Sequence, residues 1–275
     1  MLVTLKALLD EYVHKDAAVG AFNATTYADA QPIITAAEKR NAPVIVQVGS
    51  MGINYMDIFL WGKFLVAMAE RASVPVCVHL DHARDVRLVQ SAIDTGFSGV
   101  MIDGSQLSYP DNVSITREVV KLAKKNNVSV EAEIGSVAYS GTDAYKAELS
   151  DPEVTARFVA DTGVDAVAVA VGTLHRMEKQ ASHIDFALLR AIEQQTDIPL
   201  VIHGSTGLVD EDFLRLRATH VSKVNIGTAL RVAFNDALRK VLQENPDNYV
   251  YTELMHVPME AVEATVLNKL QLLGF

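Results

Sequence analysis

"VPVCVHLDHARD", residues 74–85, is the stretch on which the fold turns. Apolar residues follow one another through Val78 and, past His79, Leu80, the pattern of a parallel strand buried on both faces rather than one. The run then breaks off in Asp81, His82, Arg84 and Asp85. A strand that is all interior until its last residues carries its reactive polarity at the carboxyl end.

The same pattern recurs on both sides of it. "AVGAFN" at 18–23 and "APVIVQV" at 42–48 come before; "GVMIDG" at 99–104, "VSVEAEIG" at 128–135, "DAVAVAVG" at 165–172, "IPLVIHG" at 198–204 and "KVNIG" at 223–227 come after. From start to start the runs recur every 24 to 37 residues, roughly the length of one βα unit. The segments between them have helical spacing. "YADAQPIITAAEKRN" sets Ala30, Ile33, Ile34 and Ala37 on one side. "DVRLVQSAIDTG", "NVSITREVVKLAKKNN" and "DPEVTARFVADTG" run out into Gly96, Asn126–Asn127 and Gly163, residues that tolerate the left-handed turn ending a helix.

Eight such units predict a (β/α)8 TIM barrel in the α/β class, with residues 1–275 forming a single barrel domain. Residues 245–275 read as a C-terminal helical extension that either caps the barrel or packs on a second subunit. An open doubly wound sheet is the rival, and the lack of a G-x-G-x-x-G after the first strand weakens its dinucleotide-binding form.

Composition narrows the function. The net charge of −10 argues against a nucleic-acid or anionic-membrane surface, and no run approaches the length of a membrane span. "MLVTLKALLDEYVHKDA" fits an amphipathic helix better than a signal peptide. The single cysteine, Cys77, lies inside an apolar run, which suits a small buried residue in a reducing, cytoplasmic compartment.

In a barrel the reactive groups gather at the carboxyl ends of the strands. Those ends hold Asn23, Gln47 with Ser50, Asp81 with His82, Asp103, Glu133, Gly172 through His175, His203 with Gly204, and Asn225 with Gly227. Three histidines from three strands, His82, His175 and His203, are a donor set for a divalent cation such as Zn2+ with one open position. Asp103 and Glu133 are expected either to orient them or touch the cation, or to pair as inward carboxylates with cationic side chains of the barrel. His79 sits within its strand and is expected in the core, whereas His14, His183, His220 and His256 are expected on the surface. "HGSTGL" at 203–208 and "VNIGTAL" at 224–230 turn backbone N–H groups and hydroxyls toward one point, a phosphate cradle.

Taken together, "AFN", "PVIVQ", "HLDHA", "VEAEIG", "TGVDAVAVAVGTLH", "IPLVIHGSTGL" and "KVNIGTAL" resemble the metal-dependent, class II, fructose- and tagatose-bisphosphate aldolases over residues 18 to 240. The resemblance implies that His82, His175 and His203 bind the metal, normally zinc, with Co2+ or Mn2+ as alternatives and a monovalent cation as a further expectation. It implies that Asp81 handles the proton on the cleaved carbon's hydroxyl. Lys179, Gly204, Ser205, Thr206, Asn225 and Thr228 match positions that hold the ketose phosphate and its enediolate. Asn23 matches a mouth asparagine, and Asp103 and Glu133 match alternative metal contacts. Ser50, Gly172, Arg176 and Gly227 complete the expected substrate contacts. A phosphorylated ketose, split into dihydroxyacetone phosphate and an aldehyde, is the implied substrate, and a homodimer or homotetramer the implied assembly.

Several positions depart from the family. Arg176 stands where a glycine usually follows the second histidine, Ala83 where "HLDHG" has glycine, and Gly227 where fructose-bisphosphate enzymes commonly have aspartate. The loop after strand 5 reads "GSVAYSGTDAYKAEL", with Ala138-Tyr139 in place of two glycines and Gly141 near the position of a proton-exchanging glutamate. Asp143 is the nearest acid and the expected replacement; Tyr139 and Glu148 are further options. With Arg176 and Arg84 present, the expected substrate is an unusual ketose, phosphorylated or bearing another anion.

Three other readings stand beside this one. A metallohydrolase would show His-x-His after the first strand, which here ends "AFNATT". A Schiff-base aldolase needs a lysine near a strand end, and Lys223 begins its strand at the opposite end. A catalytically degenerate sugar-phosphate binder or accessory aldolase subunit would explain the loop, but has little use for Asp81.

Overall fold

Each apolar run forms a strand in the computed structural model, which describes residues 1–137, 147–175, 177 and 183–275. The strands are β1 (Val19–Asn23), β2 (Val44–Val48), β3 (Val76–Ala83), β4 (Gly99–Ile102), β5 (Ser129–Ile134), β6 (Ala166–Val169), β7 (Leu200–Ile202) and β8 (Val221–Ile226). They pair in parallel and in sequence order, and β8 returns to β1, closing the barrel. The open doubly wound alternative is thereby excluded.

The first helices are α1 (Leu5–Asp10), α2 (Tyr27–Arg40), α3 (Ser50–Tyr55), α4 (Ile58–Arg71), α5 (Val86–Asp94) and α6 (Tyr109–Lys124). After them come α7 (Pro152–Thr162), α8 (Phe186–Glu193), α9 (Asp210–Leu216), α10 (Thr228–Glu244), α11 (Tyr251–Leu254) and α12 (His256–Leu272). Their ends follow the local chemistry. Thr26 and Asp29 form a capping box at the start of α2, and Asn41 closes that helix at φ 48°. Asp151 caps α7 ahead of Pro152, and Gly163 ends it at φ 71°.

Alternation along the strands divides the core in two. Outward residues such as Val46, Val78, Val100, Val167 and Val224 pack under the helices. Inward residues Ala21, Ile45, Cys77, Met101, Ala168 and Val201 fill the barrel with Leu5, Leu8 and Leu9 of α1, which plugs its floor. Toward the carboxyl ends the inward positions become polar: Gln47, His79, Glu131, Glu133, His203, Lys223 and Asn225 are all buried. The C-terminal extension lies along α2 and α10 rather than across a barrel mouth, burying Val262, Val266 and Leu270. Each such side chain contributes about 1.5–3 kcal/mol relative to exposure. No helix among the described residues is long and apolar enough to cross a membrane.

Two sequence expectations need correcting. Lys223 does not begin its strand: β8 starts at Val221, paired with Leu200, and Lys223 points into the barrel wholly buried. Ser222 interrupts the apolar run, which is why the strand looks shorter in sequence. His220 is half-buried rather than on the surface, edge-on to the His14 ring with centroids 5.3 Å apart.

Candidate active site

A kink in β3 makes the site. Between Leu80 and Ala83 the register against β4 slips by one residue, and His82 takes the left-handed conformation at φ 50°. A regular strand would send Asp81 and His82 to opposite faces; this bulge turns both into the same cleft. The conformation costs a non-glycine residue about 1–2 kcal/mol, the kind of local strain found at functional sites.

Three imidazoles meet above the polar interior. The ring centroids of His82 and His203 are 4.6 Å apart, those of His82 and His175 5.2 Å, and those of His175 and His203 5.7 Å. One ligand-capable nitrogen from each lies within 4.8 Å of the others. His82, Asp103 and Glu133 form a second group of the same tightness. Two of the rings have a partner on the far side: Nδ1 of His82 faces Asp103 Oδ2 at 3.0 Å, and Nε2 of His203 faces Glu131 Oε1 at 3.0 Å. That is how metal-binding histidines are oriented in general.

Asp81 is held from two sides. Asn23 Nδ2 donates to Oδ2 at 2.8 Å, and Asn225 Nδ2 to Oδ1 at 3.3 Å. Asn23 is in turn oriented by Gln47, whose Nε2 donates to Asn23 Oδ1 at 3.1 Å. Gly49 leaves room beside the carboxylate: a Cβ there would lie 3.4 Å from Asp81 Oδ2.

The electrostatics are those of a cation site. Burial opposes a charged His82, yet Asp81, the bond to Asp103 and the charge of Glu133 carry it up to about 10. Burial, then the His82 charge, holds His175 and His203 well below the usual imidazole range. Burial also works against an ionised Asp81, but His82, His203, Lys223 and the Asn23 bond keep its carboxyl below the ordinary value. Glu133 is pushed up to about 8 by burial and by Asp103. Three imidazoles with acids packed around them, their ligand-capable nitrogens within 4.8 Å of one another, are a group that could hold a divalent cation.

The rest of the cleft faces this cluster. Asn23, Ser50, Gly204, Ser205, Thr206, Asn225, Gly227 and Thr228 all line it, with Asp81, His82 and His175. Thr206 Oγ1 accepts from Ala229 N at 3.3 Å, joining the turn at Ser205–Gly207 to the first turn of α10. The start of that helix is a favourable place for an anion, although Leu230 N and Arg231 N already bond Gly227 O. The Ser205 hydroxyl is already committed to Asn225 O at 2.5 Å. Gly172 does not line the cleft; its φ of 104° and closeness to His183 O belong to a turn. Asp143, Arg176, Lys179, Ala138, Tyr139 and Gly141 lie outside the described residues. Glu148 pairs its backbone with Ser136 and is exposed.

Sequence reasoning missed Arg231, the one lysine or arginine among the described residues lining the cleft. It sits in the first turn of α10, and Nη2 donates to Thr228 Oγ1 at 2.8 Å. Its signal was its place three residues after Thr228, on the same helical face. Arg84 leans on Asp103 Oδ2 at 3.3 Å instead of entering the cleft.

The family model "Fructose-bisphosphate aldolase class-II" matches residues 3–275. The chain is 36% identical to a fructose-bisphosphate aldolase of Geobacillus stearothermophilus, covering 99% of this chain and 97% of that one. It is 37% identical to a 6-phospho-5-dehydro-2-deoxy-D-gluconate aldolase of Bacillus velezensis, over 99% of this chain and 95% of that one. The crystal structure of the YdjI aldolase from Escherichia coli K12 superimposes with a TM-score of 0.88 at 28% identity, covering 100% of this chain and 98% of that one.

Proposed function

Because the chain belongs to the class II fructose-bisphosphate aldolase family and is an aldolase, we propose that it cleaves and forms a phosphorylated ketose at the cleft between His82, His175, His203 and Asp81. The products of cleavage are dihydroxyacetone phosphate and an aldehyde. The observation that carries this reading is the convergence of three imidazoles, one on β3 and two following β6 and β7, beside a buried carboxylate held by two amides.

Three imidazoles, all neutral once a cation takes the place of the proton on His82, would fit zinc, or cobalt in its place. When bound there, the cation supplies Lewis-acid stabilisation for negative charge that develops on the ketose half as the bond breaks. Asp81, kept ionised by its surroundings, accepts the proton of the hydroxyl on the carbon that leaves as aldehyde. The carbon–oxygen double bond forms, the carbon–carbon bond breaks, and its electron pair goes to the ketose half, which later takes a proton at that carbon. Asn23 and Asn225 hold the Asp81 carboxylate in line for this transfer. The turn at Ser205–Gly207, Thr228 and Arg231 grip the phosphate, whose binding energy orients the reacting end.

For the aldehyde half, we favour a ketose carrying an acidic group. The two curated relatives named above are almost equally similar to this chain and act, by name, on a bisphosphate and on a phosphorylated sugar acid. Gly227 brings no acid to the cleft, and a Cβ there would meet Asn23 Oδ1 at 2.8 Å and Arg231 at 3.3 Å. The free, buried Cys77 fits a cytoplasmic setting.

Metal analysis joined to a screen of aldehydes with dihydroxyacetone phosphate tests the reading. Chelation should abolish activity, zinc or cobalt should restore it, and acid-bearing aldehydes should be the better acceptors. Cleavage of fructose 1,6-bisphosphate as fast as any acid-bearing sugar phosphate would refute the substrate class. Protein that binds dihydroxyacetone phosphate but exchanges no solvent deuterium into it would point instead to a degenerate binder.

A further inference from the structure

Below the imidazoles lies a charged pair that the reaction does not itself use. Glu131 on β5 and Lys223 on β8 are both wholly buried, with Nζ 2.8 Å from Oε2. Desolvating two such ions costs several kcal/mol each before their attraction returns anything, and apolar side chains of like volume would often serve the fold as well. The barrel floor just beneath is filled in that apolar way.

The other contacts of the pair give its use. Glu131 Oε1 lies 3.0 Å from Nε2 of His203. A carboxylate only accepts, so Nε2 carries the hydrogen, and Nδ1, 2.8 Å from His82 Nε2, keeps its lone pair toward the cluster. A competitor stands close by: Asn225 Nδ2 is 3.2 Å from the same Nε2 and would favour the opposite tautomer. Lys223 decides between them. Its Nζ donates to Asn225 Oδ1 at 2.7 Å, which fixes the amide with Nδ2 available to Asp81 Oδ1, while the same ammonium sits against Glu131.

We propose that Glu131 and Lys223 are positioning residues: Glu131 sets the tautomer in which His203 can hold the metal, and Lys223 fixes both Glu131 and the amide that steadies Asp81. This rests on the reading of His82, His175 and His203 as the metal site. One buried salt bridge then supports a metal ligand and the proton-transfer carboxylate together.

The test uses the full chain stripped of metal, in four forms: wild type, Glu131→Gln, Lys223→Met, and the double variant Glu131→Leu/Lys223→Met. Zinc affinity is read by competition with a chromophoric chelator, and the histidine tautomers of the metal-free protein by 15N NMR. Each single variant should lose about 10- to 100-fold in zinc affinity, the usual effect of removing a ligand's outer partner. The double variant leaves no uncompensated charge, so it should melt near the wild-type temperature while keeping the deficit in zinc affinity. In the wild type the His203 hydrogen should be on Nε2, and in Glu131→Gln it should be divided between the two nitrogens. Wild-type zinc affinity in the double variant, or a wild-type hydrogen on Nδ1, overturns the proposal. If His82→Ala loses zinc while the Glu131 and Lys223 variants do not, this inference alone fails. If zinc affinity is untouched even by His82→Ala, the metal reading fails and takes this inference with it.

Discussion

Gly204 follows His203 and packs against the backbone just before His175, so replacing it with alanine tests whether two of the three imidazoles are held in one frame. Its φ is 70°, and a Cβ built there would lie 2.6 Å from both C and O of Leu174. The left-handed conformation costs an alanine about 1–2 kcal/mol. Relieving the contact requires Leu174 to retreat by about 0.8 Å to reach ordinary van der Waals distance, an overpacking cost of about 1–3 kcal/mol. Taking about 3 kcal/mol in all, Gly204→Ala should melt roughly 6–12 °C below the wild type. The local effect is the sharper one, because metal–ligand distances tolerate only about 0.2 Å and His175 would move with Leu174. Zinc affinity should therefore fall by about 100-fold or more, the upper end of what losing an outer partner does. Chelator competition on metal-stripped protein and differential scanning calorimetry measure the two effects separately. A Gly204→Ala protein with wild-type zinc affinity would show that the Leu174–Gly204 contact does not hold His175 in place.

Asp81→Asn should retain stoichiometric zinc and lose about 10²- to 10⁴-fold in kcat, whereas His203→Ala should lose the zinc itself; elemental analysis beside a coupled assay separates them. Equal metal content and equal activity in both variants would refute the two roles. Arg231→Ala should raise KM for a phosphorylated ketose by about tenfold or more with a smaller change in kcat, measured by steady-state kinetics over a substrate series. Cys77 is pushed up to about 12 by burial, so its thiolate appears only as pH rises toward that value. At pH 8 the native protein should resist alkylation that the unfolded chain undergoes, and rapid labelling under native conditions would contradict its burial. Asp29 Oδ2 accepts from the N–H groups of Thr25 and Thr26, each at 2.9 Å. Asp29→Ala should cost about 1 kcal/mol, a fall in melting temperature of about 2–4 °C by calorimetry.

The barrel was legible because its strands are buried on both faces, so eight apolar runs stand out against amphipathic helices with glycine or asparagine ends. The cleft was legible because closure brings strand ends together: His82, His175 and His203 are far apart in sequence, yet their rings meet. What lay beneath was harder to see. "VEAEIG" and "VSKVNIG" place Glu131 with Glu133, and Lys223 with Asn225, two residues apart and so on one face. That periodicity was in the sequence, but Glu131 and Lys223 lie two residues short of the positions read as strand ends, and Lys223 reads as the start of a shorter strand. The bulge at His82 had no such signal, since nothing in "HLDHA" announces a residue with positive φ. Arg231 enters from a helix, outside any rule about strand termini.

The kink at Asp81 and His82 also constrains how this enzyme can change. Two neighbouring links of the chain owe their shared direction to one surplus residue in the ladder, so deleting a single residue there would restore the pleat and swing one of them away. On the proposed reading, cation binding and hydrogen movement thus hang on the same backbone irregularity. A descendant of this chain would give up both together by losing it, and could not regain either through side-chain replacement while the strand stayed regular.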